Sequence, residues 1–230
     1  MPAPSRPTVL SQFLRDLRAK VSYRLGRQSE PWMKTRELDI ITEALGRLNP
    51  ARCLEWGAGY STLYFPPRIP GLESWLSVEH YRPWFEEIQR RNRDPRVTVV
   101  AVPPDHGEYP DTRREGTYED FRSYVDYPAA LGQRFDFVFI DGRSRVACLA
   151  RAFDLVTDRG LVILHDANRE SYVREVPPFP HLLRLTDYRP NRGGILLASR
   201  GRPIGDFLDV EYHQRLWRGH DRLARWLMMR

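Results

Sequence analysis

A chain of 230 residues, 41% hydrophobic and 29% charged, carries enough apolar material for one sizeable core, in one domain or one domain with short terminal additions. Its formal charge of +6 is carried almost wholly by arginine, since Lys20 and Lys34 are the only lysines; such a surplus suits nucleic acid, anionic lipid or an acidic small molecule as readily as a plain solvated surface. The absence of any apolar run of about 18 residues excludes a spanning helix, Arg6, Arg15, Asp16, Arg18 and Lys20 interrupt any apolar signal core, and Cys53 and Cys148, set in apolar stretches without metal-type spacing, read as reduced buried thiols, so a cytoplasmic location is expected.

From the N-terminus, Thr8 to Leu25 predicts a helix, because Val9, Leu10, Phe13, Leu14, Leu17 and Val21 recur at helical spacing with arginines on the other face. Gly26 and the stretch to Pro31 break that pattern, so residues 1–32 read as an N-terminal helical extension. Residues 33–199 then alternate helical and strand-like segments, as a mostly parallel sheet with covering helices requires. Thr35–Leu48 is an amphipathic helix with Leu38, Ile41, Leu45 and Leu48 on one face. Arg52–Trp56 is a short buried strand ended by Gly57-Ala58-Gly59, and Trp75–Glu79 is a second strand. A helix begins over Pro83–Arg90, proline being tolerated in a first turn. The third strand, Val97–Val102, stops at Pro103-Pro104. Pro103 to Gly116 is a candidate lid or acceptor loop, and Tyr118 to Leu131 should be the next covering helix. Phe135–Asp141 is a fourth strand, followed by a helix through Val146, Leu149, Ala150, Phe153 and Leu155, and Leu161–Leu164 is a fifth strand. Leu182–Tyr188 and Gly194–Ala198, around Pro190-Asn191-Arg192-Gly193, read as an antiparallel hairpin. Residues 200–230 form a C-terminal basic amphipathic extension, rich in Arg and Trp.

Four motifs carry chemistry. The first is Leu54-Glu55-Trp56-Gly57-Ala58-Gly59-Tyr60-Ser61-Thr62, a buried strand running into Gly-x-Gly, where the backbone turns sharply and admits a ligand without a Cβ clash. Two glycines after a strand are also the mark of a simple tight turn. The second is Ser77-Val78-Glu79-His80, whose acid ends the next strand and offers two acceptors to adjacent ribose hydroxyls. A dinucleotide loop would have a third glycine where Thr62 stands, and its pyrophosphate would meet Glu55 as an uncompensated anion. The third and fourth, Phe135 to Arg145 and Leu161 to Asn168, each place an acid, Asp141 or Asp166, at the carboxyl end of a strand, where open α/β sheets bind ligands. These acids either share a site or cap the helices that follow. His165 is a candidate general base, with a structural role as the alternative. Arg143 and Arg145 flank the same mouth, either clamping an anionic acceptor or solvated in a first turn.

The glycine loop resembles motif I of the class I S-adenosylmethionine-dependent methyltransferases, an acid, any residue, Gly, any residue, Gly. The stretches EWGAGYSTLYF and IDGRSRVACLA are also similar to bacterial methyltransferase-like proteins. The resemblance covers roughly Met33 to Ser199 and implies a doubly wound, mostly parallel, seven-stranded Rossmann-like α/β sheet with a C-terminal antiparallel hairpin. It implies S-adenosyl-L-methionine as cofactor, with Glu55 near the methionine amino group, the Gly57 and Gly59 backbone along the centre and Glu79 on the ribose. The cofactor-facing set is then Glu55, Gly57, Ala58, Gly59, Ser61, Thr62, Glu79, His80, Asp141 and Gly142. The strand-end acids look like those of catechol-type O-methyltransferases, which hold a divalent metal, so Asp141 and Asp166 would be ligands for Mg²⁺. That family follows its second Asp directly with Asn, whereas Ala167 here precedes Asn168.

O-methylation of a small molecule or sugar is therefore expected, with His165, Asp166 and Asp141 as the catalytic set and Arg143 and Arg145 toward the acceptor. A nucleic-acid methyltransferase is a competing reading suggested by charge alone, since neither a separate RNA-binding module nor an Asn-Pro-Pro-Tyr motif is visible. A non-catalytic interaction protein of the same fold is another. The terminal zones, with Phe207, Leu208, Leu216, Trp217, Leu223, Trp226, Leu227 and Met228 among arginines, either pack on the core, form a homodimer or touch a membrane surface.

Overall fold

The structure is a computed structural model and describes residues 7–25, 30–109, 114–189, 191 and 193–228. The helix breaker Gly26, part of the candidate acceptor loop (110–113) and the turn residues Pro190 and Arg192 lie outside the described residues, as do the side chains of Leu227 and Met228. In chain order the elements are α1 (Val9–Arg24), α2 (Thr35–Leu48), β1 (Arg52–Trp56), α3 (Tyr60–Tyr64), β2 (Ser74–Glu79), α4 (Arg82–Arg91), β3 (Val97–Ala101), α5 (Arg122–Asp126), β4 (Phe135–Ile140), α6 (Arg145–Leu155), β5 (Val156–His165), α7 (Glu170–Val173), β6 (His181–Leu185), β7 (Ile195–Ser199) and α8 (Val210–Met228).

The strands form one sheet in the order β3-β2-β1-β4-β5-β7-β6. Strands β1 to β5 run parallel, and β7 lies antiparallel between β5 and β6. The doubly wound sheet with its closing antiparallel pair is thus present. Strand order reverses between β1 and β4, and an open sheet gapes at the carboxyl ends of such a pair, where ligands bind. Register puts Trp56 opposite Ile140, so the glycine loop after β1 and the Asp141-Gly142 turn after β4 start side by side.

Alternation along the strands sends Cys53, Trp75, Phe137, Phe139, Leu161 and Ile163 to one face, where they pack with Ile41, Leu45 and Ile88 of α2 and α4. Leu54, Trp56, Val78, Val138, Ile140 and Leu164 go to the other face, against Tyr124 of α5 and Cys148 and Leu149 of α6. Both cysteines are free and buried, and burial pushes both thiols well above their ordinary range, leaving them inert. Helix α2 forms over the range the periodicity predicts and stops at Asn49, whose φ of 45° is left-handed.

Two sequence expectations need correction, and two short helices were not expected. The continuous helix over Tyr118–Leu131 is instead a 3-10 turn at Glu119–Phe121, the short α5, and another 3-10 turn at Ala129–Leu131. Phe121 leaves helical geometry at φ −130°, and Pro128 lacks the N–H that would continue the ladder. Strand β5 begins at Val156, five residues early, because Val156 pairs with Phe135 before a register shift. The short helices α3 and α7, of five and four residues, are too brief to show a period.

The two terminal zones meet on one side of the sheet. Gln12 donates to Asp39 at 2.6 Å, the Thr35 N–H donates to Asp16 at 2.8 Å, and Tyr212 reaches the Pro7 carbonyl at 2.7 Å. Phe207, Leu208 and Trp217 join the core. Packing onto the body therefore accounts for the inner face of α8, whereas Leu10, Leu14, Leu17, Val21 and Trp226 stay exposed.

Candidate functional site

The glycine loop is shaped by close backbone approach. Gly57 has φ +96°, its N–H donates to the Val78 carbonyl at 2.8 Å, and a Cβ there would lie 2.6 Å from the backbone of Gly142. Its glycine is thus demanded by the protein itself. Gly59 differs: its backbone is extended, and a Cβ would meet only Ser61 Oγ at 3.6 Å and Trp84 Nε1 at 3.9 Å, ordinary contact distances, so the protein itself does not demand a glycine there. The Ala58 carbonyl accepts from Trp84 Nε1 at 2.6 Å, and the Gly59 N–H donates to Thr62 Oγ1 at 2.9 Å, starting α3.

Glu55 lies beneath this loop, fully buried. Its carboxylate accepts from Ser61, from Thr62 Oγ1 at 2.6 Å, from Trp75 Nε1 at 2.9 Å and from Ser77 Oγ at 2.9 Å. Burial drives its pKa up to about 7 despite those donors. Glu55, Ser61 and Thr62, all expected to face the cofactor, are thus bonded to one another and fasten the first turn of α3 to β1 and β2. Glu79, at the end of β2, is buried at 3% exposure and accepts the Tyr81 N–H at 2.7 Å. The His80 ring has Nδ1 2.9 Å from Glu79 Oε1 and packs edge-on against Phe121 and Tyr124.

The carboxyl ends of β4 and β5 are built differently. His165 sits between two carboxylates, Nδ1 2.9 Å from Asp141 Oδ1 and Nε2 3.2 Å from Glu37 Oε2. Burial disfavours its charge, but Asp141 and Glu37 outweigh that and raise its pKa well above the usual value. Both ring nitrogens thus face carboxylate oxygens, an arrangement that favours the protonated ring. Burial likewise opposes the Glu37 charge, and His165 and Lys34 outweigh it, holding that carboxyl below the ordinary range. Glu37 also accepts the N–H groups of Lys34 at 2.8 Å and Gly194 at 3.1 Å.

Asp166 has φ +59° and accepts the Gly193 N–H at 2.9 Å. Burial raises its pKa, but His165, Arg145 and Arg169 more than compensate, and the carboxyl stays ionised. Arg145 was expected to face an acceptor; instead its guanidinium turns inward and donates to the carbonyls of Gly142 at 3.0 Å, His165 at 2.9 Å and Asp141 at 3.2 Å. It reaches Asp141 Oδ1 at 3.2 Å and Asp166 Oδ2 at 3.6 Å. A guanidinium thus holds the place between the two acids that a shared divalent cation would need, and among the described residues no group of three or more His, Cys, Asp or Glu side chains is arranged to hold a metal. Asp141 and Asp166 as an Mg²⁺ pair do not fit this geometry. Arg143 is buried at 6% exposure, within the loop between β4 and α6.

Sequence reasoning missed the other half of this network. Lys34 and Arg36 both pair with Asp187, Arg36 Nη1 reaches Asp221 Oδ1 at 2.9 Å, and the Arg36 guanidinium lies 4.1 Å from the centre of the Trp217 ring. One signal was available: Glu37 stands four residues before Ile41, on the apolar stripe of α2, where an acid needs a partner. Beside these groups opens a cavity of about 960 Å³, lined by His165, Asp166, Glu37, Lys34, Tyr188 and Gly193 on its floor and by Phe13, Leu17, Tyr23 and Trp32 toward its mouth.

No protein-family model matches the sequence, and no curated protein matches it. Solved structures do resemble it. The cofactor-bound Rv0187 from MTB aligns with a TM-score of 0.55 at 17% identity, over 87% of this chain and 100% of its own. A methyltransferase from Geobacter sulfurreducens gives 0.51 at 17%, over 87% and 92%. The O-methyltransferase from Bacillus cereus in complex with SAH gives 0.50 at 16%, over 86% and 93%. Strand order, switch point and these neighbours agree: the chain has the fold of the class I S-adenosylmethionine-dependent methyltransferases.

Proposed function

We propose that the protein is an S-adenosylmethionine-dependent methyltransferase that methylates an oxygen of a small polar acceptor such as a sugar. The observation that carries this reading is one juxtaposition. Glu79 and the side-chain-free backbone of Gly59 lie on the carboxyl edge of β1 and β2, on the same edge as the cavity floored by His165 and Asp166. Neighbours of the same fold bind a cofactor or its demethylated product, SAH. The residues suit S-adenosylmethionine: a carboxylate at the end of β2 for two vicinal hydroxyls, a backbone open to close approach at Gly59, and acids at Asp141 and Asp166 toward a cationic centre. When bound, the cofactor supplies a methyl group on an electrophilic sulfonium.

The chain's own part is mainly positioning. Glu79 orients the ribose, and the Gly57–Gly59 backbone lets the ligand lie against the sheet edge. Glu37 and Asp141 engage both ring nitrogens of His165 and fix it, so its ring orders the cavity floor. Asp166 is the carboxylate left to accept a hydrogen bond from the acceptor hydroxyl and polarise it. Arg145 binds the ends of β4 and β5 together beneath this floor. Incubating the protein with isotopically methyl-labelled S-adenosylmethionine and a panel of hydroxylated acceptors, read by mass spectrometry, tests the reading. Label in an ether product supports it; cofactor binding without turnover on any oxygen acceptor points to the non-catalytic role instead.

A further inference from the structure

The outward face of α1 is apolar and framed by cations. Leu10, Leu14, Leu17 and Val21 follow one another at spacings of four, three and four residues and so share one side of the helix. They are 63%, 46%, 53% and 50% exposed in the folded chain, and Leu25 continues the stripe at 63%. On the side of α1 that faces the body, Gln12 and Asp16 are engaged with Asp39 and the Thr35 N–H of α2, and Val9 packs against Gly219 of α8. The helix therefore turns polar and apolar groups toward the body and its leucines outward, and among the described residues that leucine surface stays exposed for a partner.

Charge selects what that is. Helix α1 carries four cations, Arg15, Arg18, Lys20 and Arg24, against one acid, Asp16; Asp16 is committed to α2, and Arg15 pairs with Asp39 of α2 at 2.5 Å. Helix α8, packed beside it, carries four arginines against two acids, so these two helices hold nearly all of the chain's net charge of +6. A second copy laid on the stripe would set cations against cations. An anionic bilayer meets both features at once, taking the leucines into its interfacial layer and the cations onto its phosphates. At the C-terminal end of α1, Trp32, 74% exposed, lies 5.0 Å from Tyr23 between ring centres. Leu17, a member of the stripe, also lines the cavity, so the stripe and the cavity adjoin.

We propose that the outer face of α1 docks the protein on an anionic lipid surface, with the cavity mouth turned toward that surface. On the reading of this cavity as the acceptor site, the acceptor is then the hydroxyl-bearing head of an amphiphile that reaches the floor while its apolar part stays in the lipid. The stripe from Leu10 to Val21 is about 16 Å long, enough to lie in the interface along three turns.

Sedimentation of the full chain with phosphatidylcholine vesicles, with and without phosphatidylglycerol, tests the docking. Binding is expected to be at least about tenfold stronger to the anionic vesicles and to weaken in high salt. The double variant Leu10→Glu/Leu14→Glu, at positions outside the cavity lining, should lose at least about tenfold of it. Calorimetry with S-adenosylhomocysteine should give the same affinity for this variant as for the parent chain, so failure of docking and failure of the cofactor reading show up separately. Equal binding to neutral and anionic vesicles, or none to either, overturns the proposal. A dimer in light scattering that the double variant dissociates also overturns it, and assigns the stripe to a second copy.

Discussion

The two halves of the sheet's carboxyl edge are built by opposite means. At β1 and β2 the chain prepares a site with backbone: a left-handed Gly57, an open Gly59, and a buried Glu55 whose partners Ser61, Thr62, Trp75 and Ser77 all lie within 22 residues of it. At β4 and β5 it uses charge drawn from distant segments, with His165 held by Glu37 across 128 residues and Asp187 by Lys34 across 153. Removing a group that faces the ligand in the first half, Glu79 above all, should weaken a ligand and spare the fold. In the second half, where ions are buried in pairs, the same change should damage the fold first.

The largest effect that separates them is expected for His165→Ala. It strips the buried Glu37 carboxylate of its cationic partner and should cost about 3–5 kcal/mol, lowering Tm by about 6–20 °C in a domain of this size. Thermal unfolding measures it; a Tm within a few degrees of the parent's would show that the cluster is not what holds this edge together.

Glu55 gives a pH-dependent contrast inside the first half. Its folded pKa of about 7 lies above the ordinary 4.5, so the folded state keeps a proton that the unfolded chain releases. Its contribution to stability is fully present below about pH 4.5 and is lost as pH rises through 7, amounting to about 3 kcal/mol in all. Glu55→Gln has no proton to lose, so its stability relative to the parent should improve between pH 5 and pH 8. Denaturant unfolding at both values checks this, and a pH-independent difference would contradict it.

The glycines sharpen the comparison further. Gly57→Ala forces a Cβ into the Gly142 backbone at positive φ and should cost on the order of 2–3 kcal/mol. Gly59→Ala should leave Tm nearly unchanged, since its Cβ meets only ordinary contacts in the protein, and lower S-adenosylhomocysteine affinity by about tenfold, since it stands where the ligand would lie against the backbone. The smallest expected effect is that of EDTA, which should change neither cofactor binding nor turnover, since Arg145 stands between Asp141 and Asp166. Loss of turnover in chelator, restored by Mg²⁺, would overturn that placement.

Legibility in the sequence follows the same division. Strands β1 to β5 and helix α2 were readable because alternation and helical spacing are local properties. The region around α5 was misread because apolar spacing persisted through Tyr118–Leu131 while Pro128 and the turn at Phe121 broke the backbone. Glu55 shows the reach of a motif: its position after β1 was clear, but four donors from its own surroundings occupy its carboxylate. The partners of His165 and Asp187 were not legible, because no local pattern joins α2 to the ends of β4, β5 and β6. Arg145 was readable as a cation at the site's mouth, and only packing shows that its guanidinium turns inward to three carbonyls.

The central claim is that the carboxyl edge of β1 and β2 binds S-adenosylmethionine through Glu79. Isothermal titration of S-adenosylhomocysteine into the parent chain and into Glu79→Ala tests it most directly. Loss of a charged acceptor for two ribose hydroxyls should cost about 1.5–3 kcal/mol, a tenfold to hundredfold weaker Kd, with the far-ultraviolet circular dichroism of the variant unchanged. An unaltered Kd in the folded variant, or no binding to the parent chain, would contradict it.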